Sequence, residues 1–289
     1  MWIPVDSDGV ISLDAVRREL EANADSTALL TAMWANNEVG TVQDVRALAS
    51  LAHEFGVPVH SDAVQAFGAL PVDFRAAGLD TMAISAHKIG GPVGVGALVV
   101  GRAVKLTPVL HGGGQERDIR SGTLDAAGIA AFAAAAREAV EHLTDEAERL
   151  RTLRDYLITG VERAIPAAVL RGARDGDGEG RRLPGNAHFT FPGCEGDSLL
   201  FLLDLAGVES STGSACTAGV PRPSHVLLAM GLSETEARGA QRFSLGHTTT
   251  AEDVDTLLQV LPEAYERAKK AGMAGHVSSI QTAGTGFIS

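Results

Sequence analysis

The sequence contains only two cysteines, Cys194 and Cys216, in 289 residues, too few for a disulfide framework. In a reducing compartment each thiol is then either structural or chemically employed. Aromatic residues make up 4% of the chain against 33 glycines, which points to an aliphatic core crossed by many tight turns. No run supplies the ~20 apolar residues of a membrane-spanning helix. The opening Met1-Trp2-Ile3-Pro4-Val5-Asp6 lacks the basic and apolar regions of an export signal, so a cytoplasmic location without a membrane is expected. Basic residues are in deficit: 24 Lys and Arg against 36 Asp and Glu leave a net charge of -12, a surface that repels nucleic-acid backbones and anionic lipids. His-Glu-x-x-His and paired Cys-x-x-Cys spacings are absent too, so no metal site is expected.

With 45% hydrophobic and 21% charged residues, the composition is that of a folded globular chain, long enough for about two domains. In the first half, short apolar runs alternate with amphipathic stretches, the pattern of a parallel sheet flanked by helices. Strands are predicted over 28–35, 57–61, 81–85 and 94–100, and a helix over 44–55 stopped by Gly56. Residues 125 to about 165, rich in Ala, Glu, Leu and Arg, predict one long bridging helix, its small residues at 130–136 suited to close packing. The charged, glycine-rich stretch 172–185 reads as an exposed loop. Strands at 187–191 and 242–245, with helices at 197–205, 224–230 and from 251 to about 270, predict an α+β second domain. The expected organisation is a large domain over 1–143, a small domain over 144–274 and a loose tail over 275–289.

Several segments carry chemistry. Ser85-Ala86-His87-Lys88 closes one predicted strand, and Asp62 closes another, with Gln65 just beyond it. Strand ends of a parallel sheet are where ligands sit. A lysine leaving a buried strand is costly as a cation, and burial moves it toward a nucleophilic amine. An aspartate on a neighbouring strand could keep a pyridine nitrogen protonated, which makes pyridoxal phosphate an electron sink. Alone, such a lysine is more often a solvated surface residue, and His60 and His87 alone are more often packed or surface histidines.

Asn36-Asn37-Glu38-Val39-Gly40 has the composition of a turn, whose amides could also bind a phenolic oxygen or a carboxylate. His111-Gly112-Gly113-Gly114, running on to Arg120-Ser121-Gly122-Thr123, forms a donor-rich loop before the long helix, with Asp125 placed to cap it. Its amides and Thr123 suit a phosphate, although without Gly-Lys-Ser/Thr it is no nucleotide loop. Cys216 lies among small residues, in Ser214-Ala215-Cys216-Thr217-Ala218-Gly219, which would leave its thiol accessible as a nucleophile requires. Cys194, in Phe191-Pro192-Gly193-Cys194-Glu195-Gly196, reads as an ordinary loop thiol.

Together these stations, with Arg242-Phe243-Ser244-Leu245-Gly246, resemble the pyridoxal-phosphate-dependent cysteine desulfurases of the nitrogen-fixation and iron–sulfur-assembly type, within the class V aminotransferases. The likeness runs from about Val10 to Leu261. It implies an α/β chain of fold type I, with a mainly parallel sheet in the large domain and a smaller α+β C-terminal domain. It implies that Lys88 holds the cofactor and moves protons at the substrate α-carbon, that Asp62 faces the pyridine nitrogen, and that Gln65 and Asn36 contact the phenolic oxygen. Ser85 and His87 would bind the phosphate, His87 counting with Lys88 and Cys216 among the catalytic residues, and Thr123 would reach the phosphate from the neighbouring subunit of a homodimer. Arg242, with Asn36, would clamp the substrate carboxylate, a task suited to a forked guanidinium.

Cys216 would take sulfur from L-cysteine, becoming a persulfide and leaving alanine. The segment around it resembles the group with a long mobile cysteine loop, which hands sulfur to iron–sulfur scaffold or carrier proteins. The cofactor residues would equally serve a selenocysteine lyase or an aminotransferase; Cys216 separates these. Family members carry, ahead of the residues present here, an N-terminal part with a phosphate loop and a ring-stacking histidine, so the large domain is expected to be truncated. An inactive, partner-binding fragment is the third reading. Gly90, where an aromatic is usual, and His247, where arginine commonly stands, are smaller departures.

Overall fold

The computed structural model describes residues 1–175, 180–213 and 223–281, with side chains described as far as residue 271. The chain forms two compact units. One comprises Leu13–Ala35 and Gln43–Thr144; the other gathers Met1–Ser12, Asn36–Val42 and Asp145–Ser289. They are called the strand-end unit and the Arg242 unit below.

The strand-end unit opens with α1 (Leu13–Asn23), which buries Ala15, Val16 and Leu20. β1 (Leu30–Met33) leads to α2 (Val45–Glu54), whose cap is Asp44, its carboxylate accepting the Ala47 amide. β2 (Val59–Asp62), β3 (Thr81–Ser85) and β4 (Gly96–Val100) follow, giving a sheet in the order β1-β2-β3-β4. β1, β2 and β3 run parallel, as the alternation predicted; β4 is antiparallel to β3. α3 (Ala126–Glu141) completes the unit.

The single helix predicted over residues 125 to about 165 is two, α3 and α4 (Leu143–Ala164), meeting at His142. Of α3 only Gly128 and Phe132 are buried, and Ala130, Ala131, Ala133 and Ala134 are exposed. Close packing is confined to its other side. Methyl groups of Ala135 and Ala139 there stand 3.3 and 3.2 Å from where side chains would begin at Gly91 and Gly68.

The Arg242 unit contains α4, β5 (Val169–Arg171), β6 (Asn186–Thr190), α5 (Gly196–Leu205), α6 (His225–Ala229), α7 (Glu234–Arg238), β7 (Ala240–Ser244) and α8 (Ala251–Gln281). Its sheet is antiparallel in the order β5-β6-β7. Every residue of β6 is buried: on one face α4, α5 and α8 supply Leu157, Leu199, Leu203 and Leu261 to a core shared with Ala187, Phe189, Phe191 and Phe243, and on the other Asn186 meets the Glu38 carbonyl. α8 continues past the predicted end near 270 to Gln281, and residues 282–289 of the predicted tail lie outside the described residues.

The stretch 172–185 is less exposed than its composition suggested. Arg182 is 2% exposed. Its guanidinium donates to the carbonyls of Ala173 at 2.7 Å, Val39 at 2.9 Å and Arg171 at 2.5 Å. Burial pushes it down to about 10, still far above neutral, so it remains a cation held by carbonyl dipoles. One buried arginine thus turns a charged loop into a clasp on β5 and the 36–42 segment.

Candidate active site

In the strand-end unit, Asp62 closes β2 in register with Met33 of β1 and Ala83 of β3. Its Oδ1 accepts the Val64 amide at 2.9 Å, which fixes the carboxylate at the start of the turn carrying the partly buried Gln65. β3 ends at Ser85, and the chain passes directly into a 3₁₀ turn, Ala86–Ile89, closed by Gly90 at φ +79°. That is left-handed backbone, which costs a side chain roughly 1–2 kcal/mol and suits the glycine present. Ser85 Oγ and His87 Nδ1 lie 2.6 Å apart, so a hydroxyl and an imidazole are paired where the strand stops.

Lys88 follows them and is exposed. The burial expected of a lysine leaving a buried strand ends at Ala86. His60, by contrast, is a sheet residue, with Nδ1 2.8 Å from Thr81 Oγ1 on the neighbouring strand.

The glycine-rich loop commits part of its donor set to itself. The Gly114 amide donates to Ser121 Oγ at 3.3 Å and the Gly122 amide to Gln115 Oε1 at 2.8 Å. Thr123 is exposed, and its hydroxyl makes no hydrogen bond among the described residues. Asp125 caps α3 as predicted, accepting the Gly128 amide at 3.0 Å. Asp125→Ala should lower stability by about 1 kcal/mol, read as a lower unfolding midpoint in urea with an unchanged denaturant slope.

The Arg242 unit holds the remaining described positions. Asn36 Oδ1 accepts the amides of Glu38 and Val39, both at 2.9 Å. The turn reading therefore holds, and the side-chain NH₂ is left as the group able to donate to a ligand. Arg242, on β7, donates from Nη1 to the Asn37 carbonyl at 2.8 Å, which joins it to the same turn. Burial lowers its guanidinium, and Glu38 opposes that shift.

Glu38 is 4% exposed and accepts the Ser224 hydroxyl at 2.5 Å. Burial pushes its carboxyl up, against the pull of Ser224, His225 and Arg242. In the sequence Glu38 is only one residue of the turn, and its one signal is an acid among residues otherwise suited to a tight turn. Ser224 also caps α6.

Cys216 lies outside the described residues. Cys194 does lie in the loop between β6 and α5, but it is buried in the core, and its Sγ donates to the Phe191 carbonyl at 3.3 Å. Burial pushes it up to about 12, so it is an inert thiol at neutral pH. Among the described residues, no group of three or more His, Cys, Asp or Glu is placed to hold a metal, and no helix is long and apolar enough to cross a membrane.

The donor set fits pyridoxal phosphate. Adjacent strand ends present an acid for a pyridine nitrogen, an amine for an aldehyde, and a paired hydroxyl and imidazole for a phosphate. Arg242 beside the Asn36 turn offers a fork for a carboxylate.

Residues 1–257 match the family described as Aminotransferase class-V. An IscS-like cysteine desulfurase of Mycobacterium tuberculosis is 55% identical over 273 residues, 94% of this chain and 68% of that protein. The cysteine desulfurase IscS of Clostridium botulinum is 42% identical, over 93% of this chain and 66% of its own length. Among solved structures, a NifS-like protein from Rickettsia africae superposes with a TM-score of 0.83 at 31% identity, over 91% of this chain and 69% of that one. The chain thus spans about two thirds of the length of the curated relatives it matches.

Proposed function

The chain belongs to the class-V aminotransferase family, on its cysteine desulfurase branch and with the fold type I architecture, and from that premise we propose that it converts L-cysteine to L-alanine, leaving the sulfur as a persulfide on Cys216. The family works with pyridoxal phosphate, which when bound supplies an electron sink for the substrate α-carbon. The observation that carries the reading is the juxtaposition of Asp62 with the Ser85–His87–Lys88 turn on neighbouring parallel strands.

In this scheme Lys88 holds the cofactor and moves protons at the α-carbon, Asp62 keeps the ring nitrogen charged, and Gln65 and Asn36 donate to the phenolic oxygen. Ser85 and His87 take the phosphate. Thr123, whose hydroxyl is uncommitted, serves the phosphate of the adjoining subunit in a homodimer. Arg242 and Asn36 orient the substrate carboxylate. The Cys216 thiolate attacks the substrate sulfur; the carbon–sulfur bond breaks, a sulfur–sulfur bond forms, and a proton replaces sulfur on the β-carbon to give alanine. The persulfide then passes to an iron–sulfur scaffold or carrier protein, in the cytoplasm.

The test is to incubate the cofactor-loaded protein with L-cysteine and no reductant. Equal amounts of alanine and of Cys216 heavier by one sulfur are expected by mass spectrometry. No alanine from L-cysteine would refute the desulfurase reading; alanine from L-selenocysteine alone would then indicate the lyase, and amino-group transfer to a keto acid without alanine release the aminotransferase.

A further inference from the structure

At the middle of β6, His188 is completely buried, and neither ring nitrogen has a hydrogen-bond partner in the described structure. A buried imidazole normally satisfies at least one nitrogen, so two orphans call for a reason. His188 lies directly across from Arg171 on β5 and from Arg242 on β7, which makes a transverse row Arg171–His188–Arg242 on one face of the sheet, since cross-strand partners share a face. Arg242 carries an orphan of its own: Nε is buried without a partner, while Nη1 is tied to the Asn37 carbonyl.

Two further contacts define what surrounds the imidazole. A side chain begun at Gly213, φ +83°, would lie 3.1 Å from His188 Nε2 and 3.6 Å from Glu38 Oε2. The absence of a β-carbon there lets the ring and the carboxylate approach one spot. Glu38 is anchored from the other side by Ser224. The imidazole therefore sits beside Arg242 across the strand pair, with the backbone at Gly213 close to its Nε2.

We propose that His188 is a positioning residue for Arg242: a neutral ring, packed as its cross-strand neighbour, that fixes the guanidinium in the orientation needed to receive the substrate carboxylate. The role rests on the carboxylate-clamp reading of Arg242 above. Burial, and after it the guanidiniums of Arg182, Arg242 and Arg171, hold His188 down to about 3, so the ring is uncharged at neutral pH. A cation at this place would repel Arg242; an aliphatic side chain would fill the space but present no dipole to the guanidinium.

The test compares His188→Leu with His188→Asn, which keeps a neutral, polar side chain. In the cofactor-loaded protein, His188→Leu should raise KM for L-cysteine about tenfold with kcat within twofold, the pattern of lost ground-state binding. His188→Asn should restore KM to within about threefold. A readout independent of turnover is the ¹⁵N–¹H signal of Arg242 Nε in the protein without substrate, expected to move in His188→Leu and to return toward its original position in His188→Asn.

A fall in kcat at unchanged KM, or an Arg242 signal indifferent to both substitutions, overturns the proposal. Should His188→Leu not fold, a loss of Arg242 signal position in folded His188→Asn equal to that of a His188→Gly variant would overturn it as well. Failure of the wild-type protein to turn over cysteine would refute the functional reading instead, and the Arg242 signal would still decide the positioning role.

Discussion

Lys88→Ala should reduce alanine formation from L-cysteine by at least about 10³-fold, within the range expected for loss of a positioned proton-transfer group that is also the covalent anchor. The variant should fold normally. Lys88 is exposed, and the 3₁₀ turn around it is set by backbone hydrogen bonds and by Gly90. Lost activity with an unchanged unfolding midpoint therefore separates chemistry from folding. Lys88→Arg keeps the charge but not a nucleophilic amine, so it should fail as badly as alanine; normal turnover in Lys88→Arg would show that only a cation is required there. Cys216→Ser provides the complementary loss, abolishing persulfide formation while Lys88 stays in place.

A second expected result concerns acid. His188 is held down to about 3 in the folded protein against an ordinary 6.5. Between those values the unfolded chain binds a proton that the folded chain refuses, so stability must fall as the pH drops below 6.5. Each unit is worth about 1.4 kcal/mol, which makes the loss from this group about 2 kcal/mol between pH 6.5 and pH 5. The groups facing the ring are Arg171 on β5, Arg242 on β7, Arg182, and Glu38 beside Gly213.

Glu38 acts with the opposite sign: burial raises its carboxyl, so protonating it relieves a cost as the pH falls. Glu146 and Glu236, held below the ordinary carboxylate range by Arg149 and by Ser233 respectively, lose their contribution only at lower pH. Wild type and His188→Asn share these carboxylates, so the difference between the two proteins over pH 6.5–5 isolates the histidine. Amide exchange across β6 and β7 should accelerate in wild type as the pH falls through it, after correction for intrinsic rates, and much less in the variant. Equal pH dependence in the two proteins would show that the ring is protonated in the fold.

Much of the strand-end unit was legible in the sequence because its signals are local. β3 lies over the predicted 81–85, and Asp44 and Asp125 cap α2 and α3 from within a few residues. Strand-end chemistry at Asp62 and Ser85–Lys88 could be read for the same reason. The antiparallel sense of β4 was not legible, since an apolar run of five residues looks alike in either direction. α7 was missed although its capping box, Ser233 with Glu236, is written in the sequence.

What composition concealed is the polar interior of the Arg242 unit. Arg182 was hidden inside a charged, glycine-rich stretch because the carbonyls of Val39 and Arg171 that justify its burial come from other segments. Glu38 and His188 were hidden likewise: their surroundings are assembled from β5, β7, Gly213 and Ser224. Buried charge is rare enough that sequence reasoning defaults to the surface, and only tertiary partners reverse that default.

The interleaving of Asn36–Val42 with a unit otherwise formed after residue 145 has a consequence for biogenesis. Glu38 and Asn37 emerge from the ribosome well before their partners Ser224 and Arg242, 186 and 205 positions further on. The mostly contiguous strand-end unit can mature during translation, whereas its companion must wait for the C-terminal third and close long chain loops, which is slow. Synthesis stalled shortly after residue 144 should yield a protease-resistant sheet with a protease-sensitive 36–42 insert.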